Sequence, residues 1–275
     1  MGAAPRLYGI VATGAPVAAV LRRGPTAWCA LGRWDLTSPA YERGAWIKAR
    51  VIPQKCDLSP DGRWFVGSVH AAGADWPAGD VYEAVSRLPW LHALAAWGSG
   101  STYTRGLHLT DDVGACVVGA PDVGNAAPLL ARHGIARNGA EQFVVERRRG
   151  WVEAPETPPR AAGGPWDERR LVTMRRARPG DPAVALEVSG AYAGFRTGEP
   201  DADACAYALV AGDDRIVLDD VQWADWAADG RLLVATTDGR LQIRAGDGVD
   251  EVTFDHDLAP ETPDPQPAPD WARRW

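Results

Sequence analysis

Asp57, Leu58, Ser59, Pro60, Asp61, Gly62, Arg63, Trp64, Phe65 and Val66 return 168 residues later as Asp225, Trp226, Ala227, Ala228, Asp229, Gly230, Arg231, Leu232, Leu233 and Val234. In the first copy Pro60 presets φ for the second position of a type I turn. Asp61 suits the third, and Gly62 can take the left-handed conformation that closes a bulged hairpin. The apolar Trp64, Phe65 and Val66 then open a strand. The second copy replaces Ser59 and Pro60 with alanines but keeps Asp229 and Gly230 before an apolar run. An offset of 168 residues divides into four units of about 42, the length of a four-stranded propeller blade.

Working outward, the chain reads as short β segments between Gly, Pro and Asp turns. Leu7 to Ala12, Val17 to Arg23, Trp28 to Leu36 and Ala45 to Ile52 precede the motif, and Val66 to His70, Tyr82 to Arg87 and Trp90 to Trp97 follow it. Thr104 to Thr110 and Gly114 to Ala120 are expected as a hairpin over Asp111 and Asp112. A helical turn is expected near Leu129 to His133. Asn138 and Gly139 signal another hairpin, with Glu141 to Arg149 as its strand. Glu153 to Pro165 reads as a linker or long surface loop. Beyond it come Arg170 to Arg176, Ala183 to Ser189, Cys205 to Val210, Arg215 to Leu218, Leu232 to Thr237 and Leu241 to Arg244. Roughly twenty strands make about five four-stranded blades, with a range of five to seven. The expectation is an all-β propeller over residues 1–258, with Leu7 to Ala12 closing the ring, and a Pro- and acid-rich flexible tail over 259–275.

Composition narrows the function classes. Hydrophobic residues at 46% and charged residues at 24% are ordinary globular values. The net charge of −7 argues against a nucleic-acid or anionic-membrane partner, since both are bound by clustered Lys and Arg. Cys29, Cys56, Cys116 and Cys205 lack zinc spacing and read as reduced thiols. The apolar Leu7 to Leu21 run is broken by Gly9, Thr13, Gly14 and Pro16, unlike a signal peptide, and Arg6 spoils a myristoylation motif. No run is long enough for a membrane span. A cytoplasmic protein without cofactor is expected.

The run Leu58, Ser59, Pro60, Asp61, Gly62, Arg63 resembles the repeat of TolB-type and related WD-repeat-like β-propellers, where a strand, an S-P-D-G turn and an apolar strand recur in each blade. Leu21 to Pro25, Gly32 to Asp35, Cys56 to Gly62 and Ser86 with Arg87 also resemble a group of uncharacterised bacterial proteins. Both resemblances imply a fold and no activity.

Several sets of residues bear on chemistry. Some five-bladed propellers are glycosidases with acids around a central channel, and Asp35, Asp57, Asp112 and Glu187 are conceivable members of such a set. Asp57, Asp61, Asp225 and Asp229 sit in the repeated turns, where Asp has a structural role. Ser68 and His70 share a strand face, yet no G-x-S-x-G is present. Asp255, His256 and Asp257 suggest a metal only by composition, and no metal site is expected. Thirteen Trp serve either between sheets or at a binding face. Exposed Trp76, Trp90 and Trp97 would suit a carbohydrate-binding module.

The most informative set is basic and aromatic: Arg22, Arg23, Arg33, Trp34, Arg50 and Arg87, with Trp28 beside them. Guanidinium groups pair with carboxylates in a planar fork and stack on indoles, so residues gathered this way would capture an acidic peptide or small anion; the favoured alternative is that the Trp are inter-blade core and the Arg are solvated or pair with Asp35 and Asp57. Trp271 and Trp275, four apart, would form one face of a helical turn that docks on a partner or on the protein itself. The expectation is a non-catalytic scaffold for an unknown protein or peptide, with a hydrolytic propeller as the rival.

Overall fold

In the computed structural model, residues 4–24, 27–73, 75–139, 141–157, 171–190, 205–246 and 248–275 are described. The repeated turns form as the sequence predicts. Gly62 N–H donates to Ser59 O at 2.9 Å and Gly230 N–H to Ala227 O at 3.0 Å, and the glycines take φ of +69° and +81°. A side chain is strained at such φ, so glycine is required at both places.

The two copies nevertheless pair differently. In the first, Leu58 stands opposite Phe65 and Ser59 N–H reaches Trp64 O. In the second, Trp226 stands opposite Leu232, the equivalent of Trp64, and Ala227 N–H reaches Arg231 O. The first hairpin is therefore one residue longer. The Ser59 hydroxyl accounts for the extra residue, because it accepts Arg63 N–H at 3.1 Å and Trp64 N–H at 2.9 Å. Ala227 has no atom for that job.

The protein is all-β, built of several antiparallel sheets. β1 (Arg6–Val11), β2 (Val17–Arg23), β3 (Cys29–Asp35) and β4 (Ala40–Ile47) form a meander in chain order. β5 (Arg50–Val51), β6 (Asp57–Leu58), β7 (Trp64–His70), β8 (Val81–Arg87) and β9 (Ala95–Gly98) build a second sheet. β10 (Leu107–Thr110) pairs with β12 (Gly134–Arg137), while β11 (Val123–Gly124) joins β9, and the short helix α1 (Ala127–Leu130) lies between β11 and β12. After the helix α2 (Val144–Arg147), β13 (Val152–Glu153), β14 (Val172–Arg178), β15 (Asp181–Gly190), β16 (Cys205–Ala211) and β17 (Asp214–Val217) follow in one sheet. β18 (Val221–Trp226), β19 (Leu232–Thr236), β20 (Arg240–Ala245) and β21 (Glu251–Asp257) form the last.

Some expectations are corrected. Gly114 to Ala120 is not a strand, and β10 pairs across a longer loop with β12. Asn138 turns inward, its side chain bonding Arg105 O and His108, so it closes no hairpin. Glu141 to Arg149 contains α2 instead of a strand, since its adjacent Val144 and Val145 carry no strand alternation. Trp90 to Trp97 is strand only from Ala95. Of the linker expected at Glu153 to Pro165, residues 158–165 lie outside the described set.

The contacts divide the chain differently from a propeller followed by a tail. One compact unit contains Ile10–Gly139 together with Glu261–Trp275, and the other contains Ala4–Gly9 with Ala140–Pro260. Val66, Val85, Trp97, Leu107, Leu129 and Ile135 form a core in the first. Met174, Leu186, Val188, Trp226, Leu232 and Val234 form one in the second. The terminal stretch joins the first unit through specific groups. Glu261 is buried and accepts Arg43 Nε at 2.6 Å, and its carbonyl accepts Arg22 Nη2 at 2.8 Å. Residues 262–267 are then exposed, and a 3-10 turn at Asp270–Arg273 buries Ala272. Trp275 ends against Trp64, ring centroids 5.4 Å apart.

Candidate functional site

The eight residues expected to bind a partner divide into two sets. Arg33, Arg87, Trp271 and Trp275 converge on one cleft of about 510 Å³ in the first unit, where Arg63, Arg132 and Trp64 join them. The other four are elsewhere. Trp34 is fully buried. Arg22 is buried too, its guanidinium 5.1 Å from the Trp46 ring and bonded to Gly24 O and Glu261 O. Arg23 closes β2 opposite Cys29, and Arg50 pairs with His70 across β5 and β7.

The cleft is assembled by the opening turn. That turn sets Asp61, Gly62 and Arg63 on one side and starts β7 at Trp64, and the β7–β8 register puts Arg87 directly opposite Trp64. The Arg87 guanidinium lies 4.9 Å from the Trp64 ring centroid, a cation–π contact, and its Nε is buried with no hydrogen-bond partner among the described residues. Arg33 reaches in from β3, where Asp35 holds it at 3.1 Å and Glu42 at 3.8 Å. Burial works against the Asp35 charge, but Ser38 and Thr37 N–H groups and Arg33 keep its pKa below the usual range. Arg63 stands 3.8 Å from Asp61, the one acid among the lining residues. Arg132 follows α1 and is exposed. With the Asp35 and Glu42 that hold Arg33 counted beside Asp61, four arginines face three carboxylates, a small positive excess in a chain whose net charge is −7.

Three of the four conceivable catalytic acids are occupied by structural bonds. Asp57 is buried and accepts Leu109 N–H at 3.0 Å. Asp35 accepts Thr37 and Ser38 N–H groups, and Asp112 is an exposed turn residue. Glu187, on the second unit's β15, is clamped by Arg175 and Arg215, each Nε at 2.9 Å. Asp255 and Asp257 pair with Arg240. Among the described residues no group of three or more His, Cys, Asp or Glu is placed to hold a metal ion.

A buried polar cluster behind β7 was only partly legible. Ser68 faces Glu83 across β7 and β8, and Lys55 is buried with its Nζ bonded to Thr102 O at 3.2 Å. Burial lowers the Lys55 pKa to about 8, and burial, with Lys55 and Arg50 nearby, lowers His70 to about 4. Burial raises Glu83, which Thr104 steadies by a hydrogen bond. Among the described residues Ser68 Oγ and His70 Nε2 have no hydrogen-bond partner, so the pairing a serine nucleophile requires is not formed there. In the second unit Glu146 accepts the Tyr8 hydroxyl at 2.5 Å, and Asp225 accepts Trp151 Nε1 and Arg176; burial raises both acids.

Trp97 is buried, and Trp76 is half-buried, edge-on to Tyr82 at 4.3 Å in the wall of a smaller cleft of about 140 Å³. The exposed platform that a carbohydrate-binding reading needs is not formed by Trp97. Among the described residues no helix is long and apolar enough to cross a membrane.

Fold and site define an all-β protein with a basic, aromatic cleft. No protein-family model and no curated protein sequence matches the chain.

Proposed function

We propose that the protein is a non-catalytic interaction scaffold of the cytoplasm that takes an acidic segment of a partner protein into the arginine–tryptophan cleft. The observation that carries this reading is the convergence of Arg33, Arg87, Trp271 and Trp275, from β3, β8 and the terminal stretch, on one cleft. Arginine and tryptophan are the residues that dominate protein interfaces, because each offers a large planar surface and directed hydrogen bonds. The scaffold is a propeller-like, TolB-type arrangement in this reading. Successive antiparallel meanders in chain order and two S-P-D-G-like turns support it. Against a hydrolytic propeller stand the structural bonds of Asp35, Asp57 and Glu187.

Tryptophan fluorescence titration with poly-glutamate, and with poly-lysine as control, tests the proposal. Saturable binding of poly-glutamate that weakens with salt is expected. Equal binding of both polymers, or of neither, would refute it.

A further inference from the structure

The four arginines of the cleft are not equivalent. Arg33 is engaged by Asp35 and Glu42, and Arg63 by Asp61. Arg87 and Arg132 form no ion pair among the described residues. The Arg87 guanidinium lies over the Trp64 ring, 4.9 Å from its centroid, and its buried Nε has no hydrogen-bond partner among the described residues. Arg132 is exposed and supplies a second cation to the same cavity.

The aromatic groups are unequal as well. Trp64 is covered by Arg87 and Trp275, whereas Trp271 is 48% exposed. An open indole lining the same cleft as two guanidinium groups that form no ion pair among the described residues fits a ligand carrying both a ring and a charge. A cavity of about 510 Å³ holds a few side chains, not a folded domain.

We infer that the cleft recognises an acidic–aromatic pair within its partner peptide, the carboxylate bound by Arg87 and Arg132 and the adjacent ring packed on Trp271. This rests on the scaffold reading above and names what that scaffold selects. Charge complementarity favours the carboxylate. The exposed Trp271 favours a neighbouring aromatic residue over a run of acids alone.

The test uses the full chain and three short peptides of equal length, carrying Glu-Phe, Glu-Ala or Gln-Phe at the centre, with inorganic phosphate as a fourth probe. The Glu-Phe peptide is expected to bind tightest, with each replacement weakening it about fivefold or more. Arg132→Gln should weaken Glu-Phe binding about tenfold and leave Gln-Phe binding unchanged, while Arg240→Gln, the same charge change on β20, should alter neither. Arg87→Gln should match Arg132→Gln. Because Arg132 is exposed, its variant tests the donor pair even where loss of the Trp64 stack unfolds the Arg87 variant. If Glu-Ala binds as tightly as Glu-Phe, or if Arg132→Gln loses nothing, the inference fails while an acidic-segment scaffold stands. If inorganic phosphate displaces the Glu-Phe peptide at equal concentration, a simple anion site replaces it. If no acidic probe binds, the scaffold reading fails too.

Discussion

Replacing Ser59 by alanine tests why two near-identical turns adopt different registers. Ser59 is fully buried, and its hydroxyl accepts Arg63 and Trp64 N–H groups while donating to Asp61 Oδ1 at 2.5 Å. After Ser59→Ala, Arg63 N–H keeps Asp61 Oδ1 at 3.2 Å. Trp64 N–H keeps nothing, and a buried unsatisfied donor costs about 1–3 kcal/mol. Ala227→Ser, at the equivalent position, enters a shorter hairpin whose closing N–H already reaches Arg231 O at 2.9 Å. Ala227 is buried and Arg231 N–H is already taken by Asp229, so the new hydroxyl gains no partner like Trp64 N–H and should destabilise by about 1–3 kcal/mol. Urea unfolding followed by tryptophan fluorescence measures both variants. A loss of about 2 kcal/mol would lower the melting temperature by roughly 4–8 °C for a chain of this size. A Ser59→Ala variant as stable as the parent would refute the reasoning, as would equal and opposite effects at the two sites.

Three further outcomes are expected. Burial raises the Glu146 pKa, so the folded state binds its proton more tightly than the unfolded chain. Stability falls as pH climbs from the ordinary glutamate pKa to the raised one. Glu146→Gln, which can still accept from the Tyr8 hydroxyl, should flatten that part of a pH–stability curve. His70 behaves in the opposite sense: with a folded pKa of about 4 against about 6.5 unfolded, stability falls as pH drops between those values. His70→Gln should remove that acid-side loss in denaturation series, and an unchanged slope would contradict it. Trp275→Ala should destabilise the first unit by about 1–2 kcal/mol through lost burial and its ring contact with Trp64. Calorimetry would detect the change, and identical transitions would argue against that docking.

The sequence revealed features whose chemistry is local. Gly62 and Gly230 announced left-handed turns, and Val17–Arg23 was bounded correctly by its flanking Pro16 and Gly24. It misled where pairing is distant. Nothing near Leu107 shows that its strand will pair with residues around Gly134, and the intervening Gly114 to Ala120 looked equally apolar. The register difference between the turns hinges on one hydroxyl, which only acquires meaning once Trp64 N–H needs an acceptor. The cleft was half legible. Arg33, Arg87, Trp271 and Trp275 stand out by residue type, but Arg132 carries no signal, because its place depends on α1 and not on any local pattern. Arg22 and Trp34 had the right chemistry and the wrong burial. In a strand, alternate residues face opposite sides, so neighbours of similar type meet different fates.

Each compact unit is discontinuous along the chain: Ile10–Gly139 needs Glu261–Trp275, and Ala140–Pro260 needs Ala4–Gly9. During synthesis the first unit therefore waits, with Trp64 lacking Trp275, until the ribosome has made the whole of the second. At roughly 5–20 residues per second that delay lasts about 6–25 seconds, far longer than a hairpin needs to form. The nascent first unit spends this time with part of its aromatic cluster open and its cleft unfinished, a window in which the uncovered Trp64 face is open to a chaperone.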